Sequence, residues 1–319
     1  MLIVLETSPR VAPGLLSWAA WDALRSADAV LAPAGHPLLP ALDEAGISYR
    51  AAERIPESPD ADGTVVWLPE PGDDPPLPPG ATLLRGSADL PGAHLIDLVA
   101  TMDRLRVECP WDSRQTHASL APHLLEEPYE ALEALESGDD RAFCEELGDV
   151  LLQVVFHARV AAERADGYTI DDVADGIVAK LVRRHPHVFA GLTVSGAEEV
   201  YRNWDDIKKA EREEKKERAE RAGVPADADG PPSALDGVPF GQPALALAGQ
   251  LQRRAARAGV PDELARLEDD PGLTGPAGDI GRELFRLVMK AREAGRDPEM
   301  ELRAAARRYR DLVRAWERS

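Results

Sequence analysis

The sequence predicts a mainly α-helical protein with a short α/β-like segment in front, and three observations carry that prediction. Ala, Leu, Glu and Arg dominate the 319 residues, and these residue types favour helix. Apolar residues in the middle of the chain recur at steps of three and four, the helical period. No alternating strand pattern competes with them there, and Pro and Gly are few.

Composition also excludes several classes. The chain carries 57 acidic and 37 basic side chains, a net charge of −20, which repels phosphate backbones and argues against a nucleic-acid polymer as partner. Nucleotides stay possible, because a bound metal ion inverts the local field. Cys109 and Cys144 are too few for a disulfide framework or a cysteine-based zinc site. The apolar run at the start is interrupted by Glu6, and no stretch approaches membrane-spanning length. A cytoplasmic protein without a membrane partner is expected.

The elements follow in order. Residues 1–92 are read as an appendage with a Pro-rich linker: a strand at Met1–Leu5, a helix running into a strand over Trp18–Ala32, and a strand at Thr64–Leu68. From Ile55 to Gly92 the sequence otherwise reads as loop, densest in breakers at Pro71–Gly80. A helical domain is expected over 93–222. Its first helix, Leu95–Arg106, places Leu95, Leu98, Met102 and Leu105 on one face, and Pro110 cannot continue it. Further helices are expected over Ser119–Leu135, Asp140–Ala165, Ile170–Arg184 and Glu198–Arg221, the second stopping at Ser137-Gly138 and the fourth before Pro186. Residues 223–233 read as a linker and 234–319 as another helix-rich segment.

Two acidic clusters carry the chemistry. In EEPYE, Glu127 and Glu130 lie one turn apart, as do Glu126 and Glu130; in EELGD, Glu146 and Asp149 repeat the spacing. A solvated acidic face is the simpler reading of the first cluster alone. Asp149, however, opens DVLLQVVFHA, which is apolar on nearly every side and therefore predicts a buried helix. An ionised carboxylate there is costly without a compensating cation. The short turn between the two helices forces them antiparallel, so the paired carboxylates form an oxygen cage. Hard oxygen ligands select Mg²⁺, with Mn²⁺ as a substitute. Lys180, Arg183 and Arg184 end the following helix. Part of that grouping is the ordinary preference for cations at a helix C-terminus, and part suits phosphate contact. Trp204 and Lys208, four apart, suit a base and a phosphate, or simple packing.

The runs CPWDSRQTHASLAPHLLEEPYEALEAL, EELGDVLLQVVFHARVA, KLVRRHPHVF and NWDDIKK together resemble the MazG family of nucleoside triphosphate pyrophosphohydrolases over roughly Leu95–Lys209. The resemblance implies an all-α, homodimeric, Mg²⁺-dependent enzyme that cleaves nucleoside triphosphates to the monophosphate and diphosphate. It implies Glu127, Glu130, Glu146 and Asp149 as metal ligands, Lys180 and Arg184 as triphosphate contacts, Trp204 as a nucleotide contact and Lys208 as the basic residue beside it. Arg183 is grouped with the substrate contacts, and Glu126 is read as orienting the attacking water. Pro128 interrupts the first cluster and removes one helix hydrogen bond, which either disturbs the alignment of Glu127 with Glu130 or is tolerated at the cost of that single amide partner.

The run PGLLSWAAWDALRSADAVLA resembles the start of a tetrapyrrole methylase domain without its glycine-rich loops, which predicts a structural appendage. GDIGRELFRLVMKARE parallels the second acidic helix, with Asp279 opposite Glu146 and Arg282 opposite Asp149. An arginine there removes the cage, so 234–319 is expected to be an inactive copy. Two alternatives stand beside the hydrolase: a non-catalytic helical binding module, and a hydrolase specialised for dUTP, dCTP or damaged nucleotides.

Overall fold

A computed structural model describes residues 1–56, 63–73, 76–196, 233–261 and 275–319, together with 199–200, 203–204, 206–207, 210–211, 214, 263–264 and 267. The chain divides into two compact units, Met1–Lys208 and Lys209–Ser319.

The first unit opens with a parallel sheet. Its strands are β1 (Leu2–Glu6), β2 (Ala29–Ala32), β3 (Arg50–Ala51), β4 (Val65–Trp67) and β5 (Thr82–Arg85), in the order β3-β2-β4-β1-β5. Leu2 pairs with Val65 and Val4 with Trp67, while Ile3 pairs with Thr82 on the other side. Both faces are covered, as parallel sheets require. Ile3, Leu5 and Val66 pack with Ala20 and Leu24 of α1 (Trp18–Ser26) and Leu42 of α2 (Leu39–Glu44), whereas Leu2, Val4 and Trp67 form a smaller cluster. The short strand β5 lies where the sequence predicts loop, and β3 falls in a stretch for which it predicts no element. The two-residue β3 and the largely exposed β5 present too little apolar alternation to be read.

The helical part follows with α3 (His94–Glu108), a 3-10 turn at Asp112–Arg114, α4 (His117–Ser137), α5 (Asp140–Ala161), α6 (Ile170–Arg184) and the single turn α7 (Pro186–Phe189). Met102, Leu120, Val155 and Phe156 form its core, joined by Leu98, Leu152 and Ile170. Most of the helix expected over Glu198–Arg221, and most of the expected linker, lie outside the described residues.

One buried cation organises the turn between α3 and α4. The Arg106 side chain is 8% exposed and binds Glu163 through Nε–Oε1 at 2.7 Å and Nη2–Oε2 at 2.9 Å. Its Nη1 donates to the carbonyls of Gln115, at 3.0 Å, and Asp112. Arg106 thus ties the CPWD segment to the residues just beyond α5. At the other edge, Arg10, in the loop after β1, donates Nε to Asp97 of α3 at 2.8 Å and pairs with Asp89, riveting the sheet to the first helix of the bundle.

The second unit holds α8 (Ala244–Arg257), α9 (Gly275–Glu293) and α10 (Pro298–Glu317). Gln252, 4% exposed, donates to the Phe285 carbonyl at 2.8 Å, and Val288 is buried. Arg282 forms an ion pair with Asp279 on α9.

Replacing Arg106 by Met leaves two carbonyls without their donor and leaves Glu163 with Arg159 alone, 3.2 Å away. The expected loss is about 2 kcal/mol of unfolding free energy in urea, less than for a fully buried pair because Glu163 is partly solvated. A variant within about 0.5 kcal/mol of wild type would show that this arginine does not hold the turn.

Candidate metal centre

Local sequence builds the helix pair that carries the carboxylates. Thr116 caps α4 by accepting from Ser119 N, and the Ser119 hydroxyl accepts in return from Thr116 N, a reciprocal box. The helix ends at Gly138, whose φ of 76° is left-handed and therefore suits glycine. The next residue, Asp139, caps α5 by accepting from Arg141 N at 3.1 Å and Ala142 N at 3.0 Å. Two residues therefore reverse the chain, and α4 and α5 pack antiparallel over most of their length.

Pro122 and Pro128 both lie inside α4, yet the helix runs unbroken from His117 to Ser137. Of the two outcomes that Pro128 leaves open, the tolerated one fits the geometry: one oxygen each of Glu127, Glu130 and Glu146 lies within 4.8 Å of the others. Among the described residues this is the group able to hold a metal ion. One oxygen of Glu146 is fully covered and has no hydrogen-bond partner. Burial raises the Glu127 carboxyl above its usual range, and the charges of Asp149, Glu130, Glu126 and Glu146 raise it further. Burial likewise raises Glu146, followed by Glu130, Asp149 and Glu145. Three like charges with an orphaned oxygen and hard oxygen donors fit a divalent cation, which relieves both the repulsion and the lost hydration.

The structure places the other expected site residues as follows. Asp149 is exposed, which corrects the expectation that its helix is buried all round. The α5 faces carrying Leu147, Leu151 and Val154 are 37% to 47% exposed, so the apolar periphery of α5 is only partly covered within one chain. The charge of Asp149 nevertheless acts on both Glu127 and Glu146. Glu126 is exposed and stands 3.7 Å from His123 Nδ1. Lys180 and Arg183 are exposed and Arg184 is half-buried, all on the last turns of α6. Trp204 packs edge-on against His185, with ring centroids 5.0 Å apart, so it sits beside the basic end of α6. Lys208 lies outside the described residues.

The structure also joins two histidines that linear spacing keeps apart. His117 and His157 stack with centroids 5.1 Å apart, and their Nδ1 atoms are 2.8 Å apart. One ring must donate and the other accept, and burial together with His117 holds His157 below its ordinary pKa. The pairing crosses the α4–α5 interface, which no spacing rule within one helix detects.

Known proteins match over the same stretch of chain. The MazG nucleotide pyrophosphohydrolase domain matches residues 115–189, a span that contains both acidic clusters and the end of α6. The chain is 46% identical over 243 residues to the uncharacterized 26.1 kDa protein in the blaB 3′ region of Streptomyces cacaoi, covering 75% of this chain and 89% of that protein. It is 41% identical over 239 residues to a nucleoside triphosphate pyrophosphohydrolase of Mycolicibacterium smegmatis, covering 75% and 64%. It is 37% identical over 227 residues to the nucleoside triphosphate pyrophosphohydrolase/pyrophosphatase MazG of Thermotoga maritima, covering 67% and 81%.

The raised carboxyls set a sign for pH dependence. An acid raised in the folded state stabilises the fold below its titration and withdraws that stability as pH climbs through the folded value. Glu146→Gln is therefore expected to raise the melting temperature of the metal-free protein, by a margin that widens as pH rises above the ordinary carboxylate range. Wild type at a metal concentration a hundredfold above its dissociation constant gains about 2.7 kcal/mol, and the variant loses that response. A wild-type melting curve that ignores both Mg²⁺ and Mn²⁺ would remove the metal centre.

Proposed function

Because the chain belongs to the MazG family of nucleotide pyrophosphohydrolases, we propose that it hydrolyses nucleoside triphosphates between the α and β phosphates, giving the monophosphate and diphosphate. The observation that carries this reading is the crowded carboxylate group with the orphaned oxygen of Glu146.

Glu127, Glu130 and Glu146 would hold Mg²⁺, with Asp149, whose charge acts on Glu127 and Glu146, as the fourth carboxylate. Bound there, the ion supplies charge neutralisation for phosphate oxygens and acidifies a water. Lys180, Arg183 and Arg184 bind the triphosphate and offset the charge that develops on the departing diphosphate. Trp204 meets the base, with Lys208 as a further phosphate contact. Glu126 accepts a hydrogen bond from the attacking water and orients it. The water oxygen forms the new bond to phosphorus as the bond to the bridging oxygen breaks, and the electron pair leaves on diphosphate.

Several features favour a homodimer. On α6, Ile177, Val178, Leu181 and Val182 are 42% to 56% exposed in one chain, a helix face of the kind that a partner covers. Within 234–319, the Asp279–Arg282 ion pair suits an inactive copy, since the arginine occupies the acid that a cation would need. Among the described residues no helix is long and apolar enough to cross a membrane. Together with the substrate class this favours nucleotide-pool housecleaning in the cytoplasm.

The direct test is diphosphate release from a panel of ribo- and deoxyribonucleoside triphosphates, with Mg²⁺ and with chelator. Glu130→Gln is expected to lower turnover by about a hundredfold or more, and Lys180→Ala to raise KM as well as lower turnover. A folded, Mg²⁺-loaded wild type that releases no diphosphate from any triphosphate would end the hydrolase reading. Light scattering tests the assembly independently: wild type is expected at twice the chain mass and Val178→Glu at a lower mass, whereas a monomeric wild type would contradict the dimer.

A further inference from the structure

The second unit carries a cleft of about 600 Å³ that the reaction above does not use. It lies where three helices meet. Arg253 and Arg257 come from the C-terminal part of α8, Arg292 from the end of α9, and Arg296 and Asp297 from the turn into α10. Four arginines, ionised at any physiological pH, thus line it with a single carboxylate. That carboxylate is already engaged: Asp297 Oδ1 caps α10, accepting from Glu299 N at 3.0 Å and Met300 N at 3.2 Å. Arg292 Nη1 donates to the neutral Gln252 Oε1 at 3.3 Å. Arg296 stands 3.7 Å from Glu301, but both side chains are more than half exposed and such a pair is weak. Among the described residues Arg253 makes no hydrogen bond or ion pair.

The corresponding place in the first unit is balanced. The register that sets Arg282 opposite Asp149 also sets Arg292 opposite Arg159 and Arg296 opposite Glu163. Arg159 pairs with Asp103 of α3 at 2.7 Å and with Glu163 at 3.2 Å, and Glu163 also binds Arg106. In the second unit Gln252 of α8 meets Arg292 as Asp103 meets Arg159, and an arginine stands in place of Glu163. Both acids are gone while the arginine remains. Closing this helix junction does not require a positive excess, since the first unit closes it with paired charges. The wider field has changed as well. Residues 234–319 hold 15 basic and 14 acidic side chains, against 22 and 43 in the rest of the chain, so an anion can approach here without the repulsion that the remainder exerts.

The lining defines the ligand. A guanidinium meets phosphate oxygens through two parallel N–H bonds, a geometry that no other cation offers. Arg253 and Arg257 are four apart on one helix face, with Arg292 and Arg296 contributed by the neighbouring elements, so the donors are spread over more than one phosphate group. The cleft has the size of ordinary small-molecule sites, roughly 300–1,000 Å³. We propose that it binds a small anion carrying two or more phosphate groups, either a free oligophosphate or the phosphate chain of a nucleotide. The anion supplies the negative charge that the first unit draws from its own side chains. The proposal is independent of the hydrolase reading and survives its failure.

The test is calorimetric titration of the full chain with inorganic triphosphate, in chelator so that no metal bridges phosphate to the carboxylates of the first unit. Triphosphate is expected to bind with a dissociation constant below about 1 mM, and inorganic phosphate at least about tenfold more weakly. Arg253→Glu and Arg296→Glu, both at exposed positions, are each expected to weaken triphosphate about tenfold or more. Arg253→Gln, which removes the charge without reversing it, is expected to shift affinity in the same direction, and unchanged melting curves exclude a folding defect. Arg314→Glu makes the same charge reversal about 24 Å along α10 from its start, and screening is expected to hold its effect under about twofold. A nucleoside triphosphate with a methylene bridge between the α and β phosphates separates the two sources. Affinity equal to that of inorganic triphosphate assigns the cleft to the phosphate chain alone, and tighter binding that Arg253→Glu removes assigns it to a nucleotide. The proposal is overturned if no triphosphate binds at about 1 mM, if inorganic phosphate binds as well as triphosphate, if the cleft variants bind like wild type, or if Arg314→Glu weakens binding as much as they do.

Discussion

Packing α4 against α5 brings the half-buried Glu127 and Glu146 together with the exposed Glu130. Every local device nearby serves this approach: the reciprocal cap at Thr116, the left-handed Gly138 and the Asp139 cap fix both helices before any cation arrives. The repulsion is therefore written into the backbone and cannot relax by swinging one helix away. Preorganisation of this kind is costly to the empty fold and favourable to the filled one. Hydrophobic contacts of Leu120, Val155 and Phe156 on the same helix pair supply the opposing force.

The same economy explains the uneven surfaces of the bundle. A helix that offers carboxylates on one side and apolar residues on the other has little area left for its own chain. On α6 no described residue is fully buried, although Ile177, Val178 and Leu181 are the residues of a core. Within one chain α5 covers α6 only at its margin. The exposed faces and the carboxylate group therefore have one origin, the short length of chain from which the site is made.

Much of this was legible beforehand, and the exceptions have physical causes. The helix over Ile170–Arg184 follows from its period and from Pro186, and the turn between the acidic helices from Ser137-Gly138, because both signals are local. The three clustered carboxylates follow from spacing plus an enforced hairpin. Asp149 was misread because periodicity reports how apolar a helix is and not whether its own chain supplies the cover. Pro128 leaves both outcomes open in the sequence, since the loss of one amide bond does not say whether neighbouring contacts hold α4 together. The His117–His157 stack and the edge strand β5 depend on partners 40 and about 80 residues distant, and local pattern carries no such information.

The Arg10 contact with Asp97 and Asp89 gives the sheet and the bundle a shared joint without a hinge. Asp97 lies in the first turn of α3, and Met102, further along that helix, is buried in the bundle core. The loop after β1 is thereby anchored to a helix whose far part is held in the core, as a guy line is held by its stake. Such a joint lets one layer set the stiffness of the next, whatever chemistry of its own it carries.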